Sequence, residues 1–159
     1  MPSKQKFTNK EFTALRTETE VAYKKIGSVR CPYLDCAVTF NAKGLDRIKL
    51  KEWNKARNRD DQFIRLKLIH LAPEVLKKSH LAQGIEEGKK FERVKTNSRW
   101  ESKLMHVTYY EFIAILQGCR VRIIVKKINS SPPYFWSIIP YWKQGRLGKK
   151  LFDGNAETI

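Results

Sequence analysis

Three cationic side chains share one face of the most regular strand that the sequence predicts. In a strand over positions 119–128 (CRVRIIVKKI), Arg120, Arg122 and Lys126 lie on one face, while Val121, Ile123 and Val125 lie on the other. Like charges that neighbour each other on a strand are destabilising unless an anion offsets them. We therefore predict that this face contacts phosphate groups, which makes nucleic acid the expected ligand.

A neighbouring segment carries groups that can transfer protons. His106 is followed by Val-Thr-Tyr-Tyr, and the two-residue period of a strand places His106 and Tyr110 on a shared face. RNA cleavage without a metal ion needs a base for the 2′-hydroxyl, an acid for the leaving 5′-oxygen, and cations that stabilise the phosphorane. We expect His106 or Tyr110 to supply the proton chemistry. Trp136 and Tyr134, on the last predicted strand, are candidates for stacking on bases.

The overall composition also favours a polyanionic partner. The chain has 159 residues, with 32 Lys and Arg against 16 Asp and Glu, and its net charge is +16. Hydrophobic residues make up 42% of it and aromatic residues 11%, which is typical of a folded domain rather than a disordered basic tail. Since the charge is spread through periodic segments, we expect folded elements to display it to nucleic acid.

Several other classes of protein are not expected. The sequence has no Gly-rich phosphate loop and no carboxylate cluster of the two-metal nuclease type, and its three His and three Cys lack zinc-site spacing. We therefore predict neither a metal nor another cofactor. No apolar stretch is long enough to span a bilayer and no secretory signal is visible, so a cytoplasmic protein with reduced thiols is expected.

Helices are predicted in the first half of the chain. Thr8 and Glu11 form a capping box ahead of an amphipathic helix that ends near Gly27. A short helix is predicted over residues 43–53. A longer helical stretch follows residues 58–61 and contains Pro73, which predicts a kink or two abutting helices.

Strands dominate the second half. Residues 82–88 are predicted as a loop, and strands are predicted over 90–96, 104–116, 119–128 and 134–139. Helices followed by consecutive strands predict an α+β fold, with N-terminal helices packed on one face of a four- to five-stranded, mainly antiparallel sheet. We expect a single domain over residues 1–159, with an N-terminal helical extension (1–30), a core (35–143) and a flexible tail (145–159).

The order of these elements resembles a known nuclease superfamily. Residues 35–49 (DCAVTFNAKGLDRIK) are similar to its opening strand, Gly-containing turn and first active-site helix, and residues 65–79 (RLKLIHLAPEVLKKS) to its second helix. Residues 120–128 and 134–139 are similar to its last strand pair. Over residues 35–143 the chain thus resembles the phage-type nucleases of the barnase, EndoU, colicin D and RelE-like superfamily, which are small metal-independent ribonucleases and often toxins.

The resemblance implies roles for four residues. It implies that Arg47 and Lys49 are cations that stabilise the transition state and that Arg65 is a further phosphate contact, while the family's last-strand Ser or Thr falls on Ser137. One position departs from the pattern, because the family's first helix often carries His where this chain has Arg47. A guanidinium stays protonated at neutral pH, so the base must come from elsewhere. RelE-like members have sites dominated by Lys, Arg and Tyr.

The predicted site residues fall into two groups. The predicted catalytic residues are Arg47, Lys49, Arg65, His106, Tyr110 and Ser137. The predicted nucleic-acid contacts are Lys43, Lys51, Arg120, Arg122, Lys126 and Trp136. We expect these residues to converge on a basic groove between the helices and the concave face of the sheet.

Together these features predict a cytosolic, metal-independent endoribonuclease, the toxin of a toxin–antitoxin pair. An acidic antitoxin or inhibitor protein would complement its charge of +16. Two other functions remain open. The first is a non-catalytic nucleic-acid-binding protein that uses the same basic face, which the missing His favours. The second is a basic accessory protein that docks an acidic protein partner.

Overall fold

The computed structural model describes residues 7–52 and 55–140, and within these ranges the chain has an α+β fold, as predicted. The flexible tail predicted over residues 145–159 lies outside the described residues. The described elements, in chain order, are α1 (Asn9–Ile26), β1 (Ser28–Cys31), β2 (Cys36–Thr39), α2 (Ala42–Lys49), β3 (Leu50–Glu52), β4 (Lys55–Ala56), α3 (Arg59–Leu68), a 3-10 turn (Ile69–Leu71), α4 (Ala72–Lys78), β5 (Gly84–Thr96), β6 (Arg99–Leu116), β7 (Cys119–Ile128) and β8 (Tyr134–Pro140).

The main sheet is larger than predicted. Six of the eight described strands form one sheet in the order β1-β2-β8-β7-β6-β5, and β3 pairs only with β4. Neighbours in the main sheet are antiparallel except β2 and β8, which are parallel and meet at the single pair Thr39–Tyr134. The prediction of four to five strands fell short because the hairpin β1–β2 joins the sheet through β8, a contact between segments far apart in the chain.

Local signals predicted the ends of α1 correctly. The Glu11 backbone N–H donates to the Thr8 hydroxyl at 3.1 Å and the Thr8 N–H donates to the Glu11 carboxylate at 3.4 Å, so the predicted capping box forms. Gly27 ends the helix with φ +68°, a conformation that glycine adopts without a Cβ penalty. None of the described helices is long and apolar enough to cross a membrane.

Proline interrupts the second helical segment, as predicted. The α3 helix ends at Leu68, a 3-10 turn follows, and α4 begins at Ala72 with Pro73 in its first turn. Proline is tolerated there because the first N–H groups of a helix have no intrahelical acceptor. The helix predicted over residues 43–53 is shorter than expected, since Leu50 adopts extended dihedrals and begins β3.

The helices pack on one face of the sheet, and α2 contributes Leu45 and Ile48 to the core that forms there. The main core joins apolar side chains of α1, α3 and α4 to Val121, Ile123 and Val125 of β7. The opposite face carries a second buried cluster that includes Tyr109, Ile124 and Trp136. This second face is buried because the β5–β6 hairpin covers it.

Strand β5 begins earlier than expected. The prediction of a loop over residues 82–88 was wrong from Gly84 onward, because these residues pair in register with β6. The β5–β6 hairpin is therefore long, and its tip is the turn at Asn97 and Ser98, both with positive φ. Its inward residues on β5 are half-buried while its outward residues are exposed.

Candidate functional site

The edge of β8 is where α2 and α3 bring cationic side chains to the sheet. Because β8 pairs with β2 only at Tyr134, the rest of its edge is available to these helices. Arg65 of α3, 5% exposed, donates from Nη1 to the Ser137 hydroxyl at 3.0 Å and to the Ile138 carbonyl at 2.8 Å. Two predicted catalytic positions, Arg65 and Ser137, are thus in direct contact.

Two buried guanidinium groups share one carboxylate beside this edge. Asp61 accepts from Arg65 Nε at 2.7 Å and lies 3.4 Å from Arg57 Nη1. Burial lowers the pKa of Arg57 to about 10, and the positive charge of Arg65 adds to this effect. Burial also lowers the pKa of Arg65. Among the described residues, the Arg57 Nη2 atom is buried and makes no hydrogen bond.

Arg47 extends this cluster around the strand edge to the second face of the sheet. Its carbonyl accepts from Arg57 Nε at 2.8 Å, and its own Nη1 donates to the Lys51 carbonyl at 2.6 Å. Its guanidinium carbon lies 4.8 Å from the centre of the Trp136 ring, within range of a cation–π interaction. The helix that was predicted to hold phosphate therefore places Arg47 against a predicted base-stacking residue.

The β5–β6 hairpin bends over this second face. Glu92 of β5 and Lys126 of β7 form an ion pair at 2.6 Å, although β6 runs between their strands. On β6 the partner of Glu92 is Lys103 and the partner of Lys126 is Tyr109, so a flat sheet would separate the pair by about 20 Å along the strand. Extended Lys and Glu side chains together reach only about 11 Å. The hairpin must therefore curl, which makes this face concave.

Aromatic rings and cations line the concave face. The Lys126 ammonium lies 4.1 Å from the Trp136 ring centre and 5.5 Å from that of Tyr109, and Lys90 lies 4.6 Å from the Tyr109 ring. Lys43, predicted as a nucleic-acid contact, lies 5.6 Å from the Tyr134 ring. Burial lowers the pKa of Lys126 and raises that of the Tyr134 hydroxyl.

We call this assembly the cationic cluster. It consists of Arg47, Arg57, Arg65, Lys126, Trp136 and Ser137, with Asp61 and Glu92 as its carboxylates. The hydroxyl groups of Tyr109 and Tyr134 are buried close by without a hydrogen-bond partner among the described residues. A site of this type can hold an anion, because cations are already desolvated there and donors are in place.

Three predicted catalytic residues lie outside the cationic cluster. Lys49 pairs with Glu20 of α1 at 2.5 Å, and this contact lowers the pKa of Glu20. His106 is exposed, and the alternation of β6 places it with Tyr110 on the face opposite Trp136. The shared face of His106 and Tyr110 was predicted, but the structure separates that face from the buried arginines.

The cations of β7 have partners that the sequence did not predict. Arg122 forms a bidentate pair with the fully buried Glu111 at 3.0 and 3.3 Å, and Lys126 is held by Glu92. Carboxylates of this chain therefore offset the charges of Arg122 and Lys126, while contact of this face with phosphate stays a prediction. Arg120 has an exposed side chain, as does Lys51, which adjoins the cluster through its carbonyl.

Sequence reasoning missed Arg57, Asp61 and Glu92. The spacing of Arg57, Asp61 and Arg65 at intervals of four residues was a usable signal, since such residues are neighbours on a helix. Asn58 caps this helix by accepting from the Asp61 N–H at 2.8 Å, and the Asp61 carboxylate binds the two arginines. Glu92 carried no local signal, because its partner is reached only through the bend of the hairpin.

Neither metal ligands nor known relatives identify this site. Within the described ranges, no group of three or more His, Cys, Asp or Glu side chains is arranged to hold a metal ion. No protein-family model, curated protein or solved structure matches the chain. The function is therefore inferred from the geometry and charge of the cationic cluster.

Proposed function

We propose that this protein is an endoribonuclease that uses the cationic cluster, without a metal ion, to bind and cleave RNA. The observation that carries the proposal is the burial of Arg57 and Arg65 against the single carboxylate of Asp61. Guanidinium groups removed from water favour an additional anion, and the depressed pKa values of both groups express the same imbalance. A phosphodiester is an anion that matches the fork of a guanidinium.

The cluster supports the electrostatic part of such a reaction. Preorganised donors that face a developing negative charge are usually the largest contribution to catalysis. Arg65 has its orientation set by Asp61, Ser137 and the β8 backbone, so it needs little reorganisation when charge develops. In this proposal Arg47 and Arg57 contact the phosphate beside it, and Trp136 supports an adjacent base.

Lys126 is the proton acceptor in this proposal. Burial lowers its pKa, which moves the ammonium toward the range in which an amine exchanges protons. Its side chain is 1% exposed and paired with Glu92, so RNA must displace the Glu92 segment of the hairpin to reach it.

The proposed activity is the one implied by the resemblance of residues 35–143 to phage-type nucleases. The same proposal includes action in the cytoplasm as a toxin that an acidic protein inhibits.

A specific observation favours a second function, binding of nucleic acid without cleavage. His70, His80 and His106 are all exposed, and none of them belongs to the cationic cluster. Glu92 also opposes the lowering of the Lys126 pKa, which favours the charged amine over a base. In this alternative the same cations hold the backbone of RNA, and no proton is transferred.

One assay separates these functions. Purified protein is incubated with total RNA in EDTA, and we expect discrete fragments that end in 2′,3′-cyclic phosphate. The variant Lys126→Arg keeps the charge but cannot accept a proton, so the cleavage rate should fall about a hundredfold or more while RNA affinity is retained. The control is Arg30→Ala, because Arg30 of β1 forms an exposed ion pair with Asp35, and this variant should cleave RNA at the normal rate.

The outcomes are distinct. Intact RNA with a clean mobility shift would favour the binding function over the nuclease. Cleavage that requires Mg²⁺ would contradict the proposed mechanism. Absence of both cleavage and binding would overturn both functions and leave an acidic protein as the expected partner of this basic chain.

A further inference from the structure

We propose that the outward face of the β5–β6 hairpin is a second RNA-binding surface, which takes up unpaired nucleotides outside the cationic cluster. This surface lies on residues 89–96 and 99–106, which we call the distal arm. This proposal depends on the proposed function in one respect, namely that the nucleic acid is RNA. The observations that carry it are independent of the cluster, because they concern the opposite face of the hairpin.

Large apolar side chains are exposed on the distal arm. Phe91 is 72% exposed, Trp100 61% and Leu104 53%. Phe91 and Leu104 are direct cross-strand partners, and the register places Trp100 on the same outward face opposite Lys95. Exposed aromatic groups concentrated on one ribbon are unusual for a solvated surface and mark a binding site.

Charge on the arm is divided between its two faces. The outward positions carry Lys89, Arg93 and Lys95, and no carboxylate occurs among the outward residues of the arm. The carboxylates of the arm, Glu92 and Glu101, lie at inward positions, where Glu92 pairs with Lys126. The positive charge of the outward face therefore complements an anion, whereas the charges of the inward face are paired within the protein.

The mixture of rings and cations selects single-stranded RNA over a duplex. Unpaired bases stack on exposed aromatic rings while cations follow the phosphates, whereas the bases of a duplex are already stacked on one another. The guanidinium of Arg93 lies 5.8 Å from the Trp100 ring centre, so a cation and a stacking ring are already adjacent. Eight residues of strand extend about 26 Å, enough for several nucleotides.

The arm also connects to the cationic cluster mechanically. The same hairpin carries Glu92 inward to Lys126 and Phe91 outward to solvent, because neighbouring residues of a strand point to opposite faces. RNA held on the outer surface would thus lie on the element that covers Lys126. We infer that the arm raises affinity for the substrate and leaves the chemical step to the cluster.

The test uses a labelled 2′-O-methyl oligonucleotide of about 12 nucleotides, which a 2′-hydroxyl mechanism cannot cleave. Fluorescence anisotropy measures its dissociation constant over a range of salt concentrations. We expect Phe91→Ala/Trp100→Ala to weaken binding about tenfold or more with the salt dependence unchanged. We expect Lys89→Ala/Arg93→Ala/Lys95→Ala to lower the slope of log affinity against log salt by about 2, since each single-strand phosphate contact contributes about 0.7.

Matched controls remove similar groups elsewhere. Leu81→Ala/Ile115→Ala deletes two side chains of comparable exposure, 72% and 69%, outside the arm. Lys24→Ala/Lys25→Ala/Lys77→Ala removes three exposed helical cations. Both controls should bind the oligonucleotide with the affinity of the unaltered protein. A duplex of the same length should bind Phe91→Ala/Trp100→Ala and the unaltered protein with equal affinity.

Each remaining outcome has one meaning. Arm variants that bind like the controls would overturn this proposal, as would a wild-type protein that does not bind the oligonucleotide. A dimer in sedimentation that the aromatic variant abolishes would assign the arm to contact with a second copy of the chain instead. If binding depends on the arm but the protein never cleaves RNA, the arm is supported as an RNA-binding surface and the proposed nuclease activity is rejected.

Discussion

Neutralising Glu92 tests whether the hairpin folds over the concave face. The Glu92 carboxylate lies 2.6 Å from the Lys126 ammonium, and the two side chains are 14% and 1% exposed. In the variant Glu92→Gln the volume is kept and the negative charge is lost. The ammonium then remains buried against aromatic rings without the carboxylate that offset its desolvation.

The expected cost follows from the depth of the pair. Two charges about 4 Å apart attract by about 4 kcal/mol at an effective dielectric constant of about 20. Breaking a buried pair by removing one partner typically costs about 3–5 kcal/mol. We therefore expect Glu92→Gln to lower the free energy of unfolding by about 3 kcal/mol at neutral pH, measured by urea denaturation.

The same variant has a signature in pH. Burial lowers the pKa of Lys126 from 10.5 in the folded protein, and Glu92 opposes that shift. Between the folded and unfolded pKa values of Lys126, its amine holds more protons in the unfolded chain than in the folded protein. The contribution of Lys126 to stability is therefore greatest above the unfolded pKa and is lost as pH falls through the folded pKa. Without Glu92 the folded pKa drops further, so the deficit of Glu92→Gln should shrink as pH approaches 10.5.

Two further variants complete the measurement. The double variant Glu92→Gln/Lys126→Met removes both charges, and its stability should return to within about 1 kcal/mol of wild type. Glu101→Gln disrupts an exposed pair on the same arm, 3.8 Å from Lys103, and should change stability by less than about 0.5 kcal/mol. If Glu92→Gln behaves like Glu101→Gln, with no pH dependence, then the pair is not desolvated and the inferred bend of the hairpin is wrong.

Three local predictions test the packing that positions the cluster. Gly44→Ala should cost several kcal/mol in urea denaturation, because an added Cβ would lie 2.6 Å from the Phe135 carbonyl oxygen, whereas Gly88→Ala meets no atom within 4 Å and should be near neutral. Thr8→Ala removes the α1 cap and should lower the free energy of unfolding by about 1 kcal/mol, and an unchanged urea midpoint would count against the cap. Tyr23→Phe loses a 2.6 Å hydrogen bond to a backbone carbonyl and should cost about 1 kcal/mol in thermal unfolding, a loss that would be absent if solvent replaced the bond.

The elements that the sequence predicted well are those with local causes. The capping box at Thr8, the interruption at Pro73 and the alternation of β7 each depend on residues within a few positions of one another. The start of β5 was missed because Gly84 and its neighbours have weak strand propensity and become a strand only by pairing with β6. The count of strands was missed for a related reason, since β2 reaches β8 through the single pair Thr39–Tyr134.

The candidate site was predictable in part. Arg47, Arg65, Ser137 and Trp136 were named in advance, and the structure brings Arg65 to Ser137 and Arg47 to Trp136. Their roles remain predictions. His106 was grouped with them by residue type, but the parity of its position on β6 places it on the opposite face. Which face of a strand meets a given helix depends on packing, which residue types alone do not encode.

The amino-acid sequence by itself determined the positive charge, the helical and strand periodicities and the caps, because each of these is set by composition or by neighbours along the chain. Only the tertiary structure decided which cations are buried and which carboxylates they meet. Glu111 reaches Arg122 through the register of β6 and β7, and Glu92 reaches Lys126 through the bend of a long hairpin. Ion pairs of this kind join side chains across space, so their partners follow from the path of the backbone rather than from the order of the residues.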